Sequence, residues 1–281
     1  MTRTLVGLAA VAVALVLIWS TIVMTTPTPE RPVITVKTHI LDSVHDYLRN
    51  NDLAANEQRF RDRATPDDFP ADYIVARAGD RHTDDPGGVI LTYDAGSCPI
   101  TLPAGRQFAF SYIGGYLDNI DAIFPLEPMP WDEMQEMVAQ VTAQFDAAGW
   151  RADGDRPALT PEQFLKGGPG TKWARVGHWR ACDAPFVTAY VQVRHYNSSA
   201  PGSFTPPAGL TAPLPDDAPD RFLMRIWFYI KDKPEVEAEL TALRNARRVD
   251  ASGKATQALP VSVWIDDPNW RPEDWSGTYI D

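Results

Sequence analysis

The residues Leu5–Met24, LVGLAAVAVALVLIWSTIVM, constrain this chain more than any other stretch, because they hold no charge, no proline and one glycine. At about 1.5 Å of rise per helical residue, about 20 residues match a hydrocarbon core about 30 Å thick. A core helix of that length would carry a polar face, which argues against burial in a soluble fold. A cleaved leader needs a shorter apolar run followed by small residues in an Ala-x-Ala-like arrangement. Here the run continues through Trp19, Ile22, Val23 and Met24, and no such site follows. Residues 1–24 are therefore expected to form a transmembrane signal anchor, with Trp19 suited to the interfacial belt.

Arg3 and the terminal amine precede the apolar stretch, and Glu30, Arg31 and Lys37 follow it. The positive-inside rule then places the N-terminus in the cytoplasm. The expectation is a single-pass protein of an inner or plasma membrane, with its domain periplasmic or extracellular. Residues 25–37 open with Thr25-Thr26-Pro27-Thr28-Pro29, whose alternating prolines favour an extended spacer.

The chain has 37 acidic and 26 basic residues, a formal charge of −11. Nucleic-acid binders usually carry a basic face, so this balance argues against a nucleic-acid partner, and equally against docking on anionic lipid. It serves solubility, or else a basic partner. Cys98 and Cys182 are the two cysteines, and in an oxidising compartment such an isolated pair reads as one disulfide.

Periodicity organises the rest. Ile40, Leu41, Val44, Tyr47 and Leu48 predict a helix within 38–62. Short strands are expected at Tyr73–Val75 and Val89–Tyr93, and Arg106–Ile113 alternates, with Gly114-Gly115 ending it. Met134, Met137, Val138, Val141, Phe145 and Ala148 form one apolar stripe and predict a helix over Pro130–Ala148. Phe186–Tyr196 and Phe222–Lys231 alternate as half-buried strands around a long Pro-, Ser- and Gly-rich loop over 197–220. Asp232 is placed to cap the next helix, and Leu259, Val261, Val263 and Ile265 suggest a final strand.

From Arg106 onward this is strand, helix, strand, strand, helix, strand. The expected fold is α+β: an N-terminal transmembrane helix, then a mainly antiparallel sheet covered by helices in ferredoxin-like β-α-β-β-α-β order with insertions. Residues 38–104 would be a helical and short-strand region, and 105–281 the α+β domain with its acidic, aromatic tail.

Chemistry-bearing patterns are sparse. The histidines form no H-E-x-x-H motif. His178 and Cys182 are four apart, and His195 ends a neighbouring strand, so these two histidines are the weak site candidates. Gly167-Gly168-Pro169-Gly170-Thr171-Lys172 lacks the order of a phosphate-binding loop, and no serine lies in G-x-S-x-G. No catalytic residue, metal or cofactor is expected. Nine tryptophans is a high count, and Trp173, Trp179, Trp264, Trp270 and Trp275 lie outside the best core patterns. Aromatic side chains give large rigid contact area, which makes these five the recognition candidates.

The pattern points to a membrane-anchored extracytoplasmic interaction protein with a protein partner, of which an immunity or inhibitor protein would be one form. A cell-envelope hydrolase and a structural subunit of an envelope complex are the alternatives.

Overall fold

The computed structural model of the chain describes residues 32–74, 87–94, 96–160, 173–196, 219–250 and 252–280. Pro32–Asp281 form one compact unit. The expected anchor Leu5–Met24, residues 25–31 of the expected spacer, the Gly167–Lys172 cluster and all but the last two residues of the 197–220 loop lie outside the described residues. Among the described residues, no helix is long and apolar enough to cross a membrane.

The elements in chain order are β1 (Val33–Thr38), α1 (Val44–Asn50), α2 (Ala54–Asp62), β2 (Pro70–Ile74), β3 (Gly88–Tyr93), β4 (Ile100–Gly105), β5 (Gln107–Ile113) and β6 (Tyr116–Met129). They continue as α3 (Trp131–Ala147), β7 (Arg151–Ala152), β8 (Ala174–Arg180), β9 (Val187–Tyr196), β10 (Arg221–Ile230), α4 (Pro234–Arg247) and α5 (Ser262–Asp266).

The fold is sheet-dominated, which corrects the ferredoxin-like expectation. A three-stranded sheet has the order β1-β3-β4, with β1 parallel to β3 and β3 antiparallel to β4. A seven-stranded sheet has the order β2-β5-β6-β10-β9-β8-β7, and every neighbouring pair in it is antiparallel. A split β-α-β unit leaves one strand between the two strands that its helix joins. Here α3 leads from β6 to β7 and β8 at the far edge, with both β10 and β9 between β6 and β8.

Four local features refine or correct the sequence pattern. Gly114 and Gly115 end β5, as expected, but as a turn into a further strand: both adopt positive φ (58° and 78°) and form the two-residue turn of the β5–β6 hairpin. A side chain at Gly115 would also meet the Trp264 ring atoms at 2.6 Å. Leu259–Ile265 is a turn and the short α5, not a strand. The helical region expected over 38–62 forms α1 and α2, separated at 51–53 where the helical pattern weakens, and Thr38 closes β1. Asp232 does not cap α4: its φ is 57°, and Lys233 holds the cap position without a side-chain hydrogen bond.

Packing follows strand alternation. On one face of the large sheet, Phe222, Met224, Ile226, Phe228 and Ile230 of β10 point inward beside Phe108 and Phe110 of β5 and Ile120, Ala122 and Phe124 of β6. The apolar stripe of α3 buries Met134, Val141 and Phe145 there, and Phe145 stacks on Trp179 at 5.3 Å. Val236, Leu240 and Leu243 bury α4 against β10 and β5. From α1, Tyr47 meets Phe110 at 5.5 Å. The small sheet joins the same face through Tyr93, stacked on Phe228 at 4.7 Å.

Phe228 is thus the point where the two sheets and α3 meet. Replacing it removes that aromatic cluster's centre and leaves a cavity. Phe228→Ala is expected to lower unfolding free energy by about 3–5 kcal/mol, read from the urea midpoint at unchanged slope.

Candidate functional site

The other face of the large sheet has no described helix against it, although Thr188, Gln192, Arg194, Leu223 and Ile123 on it are buried. Register fixes what lies there. One cross-strand row runs His178, Tyr190, Trp227 and Asp121; the next runs Arg180, Thr188, Tyr229 and Asn119. On the far side of the first row lie Arg175, Gln192, Arg225 and Ile123. Tyr190, Trp227, Tyr229 and His178 are all partly exposed.

These side chains brace one another. The Trp227 and Tyr229 rings stack at 4.4 Å, and the His178 and Tyr190 rings at 4.2 Å. Burial, with Lys231 and Arg175 nearby, holds the His178 imidazole below its ordinary value. The Arg225 guanidinium lies 5.4 Å from the Trp227 centroid and donates to both Asp121 oxygens at 2.7 and 2.6 Å. Arg194 covers Trp173 at 4.7 Å; burial, with Arg106 and Arg225 adding repulsion, pushes its guanidinium down to about 10. Aromatic rings held by stacking and by cations lose little freedom on binding, which suits them as anchors.

The charge of this face opposes that of the chain. Arg151, Arg175, Arg180, Arg225 and Lys231 share it with the acids Asp121 and Asp153, and Asp232 accepts from Arg180 at 2.9 Å. Arg180 and Lys231 both donate to Asp153 at the sheet margin. Arg151 and Arg175 are exposed and have no ion pair among the described residues.

The histidines anticipated from sequence do not converge. His178 shares the open face with Tyr190, whereas His195 lies on the covered face, five residues and about 17 Å further along β9. His195 Nε2 meets Asp220 Oδ1 at 2.7 Å, and its ring lies edge-on to Phe222. Cys182 pairs with Cys98, Cα–Cα 6.2 Å, which commits the thiolates that a zinc site would need. The sulfurs lie near Asp183, the one such cluster among the described residues, but a disulfide is not a metal ligand pair.

Of the five tryptophans singled out, only Trp173 reaches the open face. Trp179 and Trp264 are enclosed in the core, with Nε1 donating to Asp146 and Asp67 respectively. Trp270 packs edge-on against Trp264, and Trp275 donates to the Ile280 carbonyl. The sequence reading passed over Trp227 and Tyr229, although their signal was present: they alternate with the apolar residues of β10.

A pocket of about 340 Å³ lies elsewhere, where the β1–α1 turn meets Tyr116 and the C-terminal stretch. His39, Asp42, Ser43, His45 and Asp46 line it from the turn; Pro268, Asn269, Tyr279 and Ile280 line it from the tail. The turn passes through a left-handed Leu41 (φ 73°), held by its N–H to the Leu117 carbonyl at 2.7 Å. Asp42 is 6% exposed and accepts from Thr38 Oγ1 at 2.7 Å. Burial raises its carboxyl to about 6, against the lowering effect of Thr38 and His39.

Comparison with known protein families, curated proteins and solved structures returns no match.

Because Asp42 titrates higher in the folded chain than in the unfolded one, its ionisation opposes folding. Between about pH 4 and pH 6 the folded state keeps a proton that the unfolded chain gives up, so stability falls as pH rises through that window. Asp42→Asn is therefore expected to stabilise the fold by about 2 kcal/mol at pH 7.5, with the difference closing at pH 4, as read from urea titrations at the two pH values.

Proposed function

We propose that the chain is an extracytoplasmic interaction protein that docks a protein partner on the open face of its seven-stranded sheet. The apolar stretch Leu5–Met24 would hold it at an inner or plasma membrane. The observation that carries this reading is the braced array of Trp227, Tyr229, Tyr190 and His178 on a sheet face that no described helix covers. Aromatic and arginine side chains are the usual energetic centres of protein interfaces. The basic residues around them select a partner with an acidic patch, the reverse of the basic partner that the chain's net charge alone would suggest. Blocking such a partner, as an immunity or inhibitor protein does, needs occupancy and no catalysis. The disulfide suits an oxidising compartment outside the cytoplasm. A hydrolase built on His178 and His195 draws no support from two side chains on opposite faces.

The test is site-specific photo-crosslinking in the native cells, with the probe at Tyr190 and a control probe at exposed Lys254. A discrete adduct from position 190 alone is expected. Its partner, identified and purified, should bind the Trp227→Ala/Arg175→Glu variant about thirtyfold or more weakly than the parent chain. The same adducts from both positions, or equal affinity for the double variant, would sink the reading.

A further inference from the structure

Four strands form the edges of the two sheets, and three of them are blunted. β7 is two residues long. β2 opens with Pro70, and β4 carries Pro103 and an irregular register against β3. Short length, proline and irregularity are the usual devices that keep an edge from pairing further. β1, Val-Ile-Thr-Val-Lys-Thr, has none of them over Val33–Val36.

The backbone bonds around β1 show which of its groups point outward. The Pro32 and Thr38 carbonyls accept from Gly87 and Asp94, on the β3 side. Lys37 points the other way: its N–H donates to Asn51 Oδ1 at 2.6 Å, and its carbonyl accepts from Asn51 Nδ2 at 2.8 Å. Backbone groups of alternate residues share one side of a strand. Val33 and Thr35 therefore present their N–H and C=O groups to the same edge as Lys37. No described residue bonds them there. The Asn51 amide thus takes the place of a neighbouring strand at one residue and leaves the next two outward positions open. Both are exposed, and Val33, at 45%, is one of two large apolar side chains so exposed among the described residues.

Two open positions spaced two residues apart are matched by the same two on an antiparallel copy. Val33 then faces the partner's Thr35, and Thr35 the partner's Val33, with four backbone hydrogen bonds about a dyad at Ile34. On the core side Ile34 meets its own copy as a non-hydrogen-bonded pair. On the outer side Val33 lies beside the partner's Thr35. Such cross-strand pairs of β-branched residues are favourable. A register shifted toward Lys37 would put the partner strand where Asn51 sits, so Asn51 limits the pairing to this one. The charge also permits it: β1 holds no acid, and its one cation, Lys37, is paired with Asp94. The net negative charge of the chain therefore does not meet itself across this edge.

We propose that β1 pairs antiparallel with β1 of a second copy of this chain, joining the two small sheets into one six-stranded sheet of order β4-β3-β1-β1-β3-β4. The open face of the large sheet takes no part, and Trp227→Ala should leave the pairing unchanged. It does not rest on the proposed anchor, although anchoring two chains by Leu5–Met24 would favour it by holding their β1 strands near one surface.

Sedimentation of the purified full chain in mild detergent tests it. The parent chain is expected to be a dimer at about 100 μM, a concentration at which even a micromolar pair is associated. Thr35→Pro removes one outward N–H and leaves the ladder to β3 intact, so it should give a monomer at an unchanged urea midpoint. Val33→Lys/Thr35→Lys keeps the backbone groups but sets lysines opposite one another, and should also give a monomer; it decides the matter if the proline lowers the midpoint. Ile34→Cys should form a covalent dimer that reductant reverses, because the paired Cα atoms would lie about 4.5 Å apart, within disulfide reach. Lys37→Cys, about 20 Å from its copy in this register, should not. A monomeric parent, a dimer that persists in a folded Thr35→Pro or lysine variant, or a covalent dimer formed as readily by Lys37→Cys as by Ile34→Cys would overturn the proposal.

Discussion

The structure depends on the aromatic contact that closes one face of the large sheet. Phe228 lies in β10, between β6 and β9, and takes Tyr93 of the small sheet face to face while Phe145 and Trp150 approach from the α3 side. Buried aromatic clusters contribute area and geometry together, so this one contact fixes where the small sheet and α3 sit. Because α4 and α1 use the same face, all the described helices that pack on this sheet lie on one side of it. On the opposite side Trp173 packs against the buried Ile123, Tyr196 and Leu223, and the remaining side chains pack laterally, along and across strands. Stacked Trp227 and Tyr229, and stacked His178 and Tyr190, are how it does so.

Elements with one strong period were legible in the sequence. The stripe from Met134 to Phe145 gave α3, and alternation gave β9 and β10, because each buries a single face. The apolar run Leu259–Ile265 misled for a definable reason. Val261, Trp264 and Ile265, the buried residues, also fit helical spacing, and a run that short satisfies both periods. The strand β6 escaped notice because Pro125 and Pro128 argue against a central strand. They are tolerated because the register between β6 and β10 jumps from Phe124–Met224 to Met129–Phe222, so both prolines fall inside the irregularity. The parallel pairing of β1 with β3 joins residues more than fifty apart and leaves no local trace.

The sites were less legible than the fold, for two reasons. Net charge is a sum and carries no position. An acidic chain can gather Arg151, Arg175, Arg180 and Arg225 on one sheet face, and only the register says that these residues are neighbours. The pocket draws on residues 39–46, Tyr116 and 268–280, three segments that no spacing rule connects. Its nearest sequence signal, the close run of His39, Asp42, His45 and Asp46, was obscured because a helix was expected there. A left-handed Leu41 instead breaks the chain between β1 and α1 and turns those side chains toward the tail.

The disulfide links these points to the question of compartment. Cys98 precedes β4 of the small sheet, and Cys182 lies in the turn between β8 and β9 of the large one. Ser97 reinforces the join by donating its N–H and hydroxyl to Asp183 at 2.7 Å. A loop spanning 84 residues is worth about 4.5 kcal/mol in the chain-entropy model, a large share of the roughly 5–15 kcal/mol by which domains are stable. That contribution is available only where the bond persists. In a reducing compartment the aromatic contact around Phe228 and the Ser97–Asp183 hydrogen bonds would hold the small sheet to the large one without a covalent cross-link. An oxidising compartment gives the two sheets a covalent tie as well, and the open face borders that tie through β8 and β9. The stacked His178 and Tyr190 of that face therefore lie on strands whose tie to the small sheet depends on the redox condition.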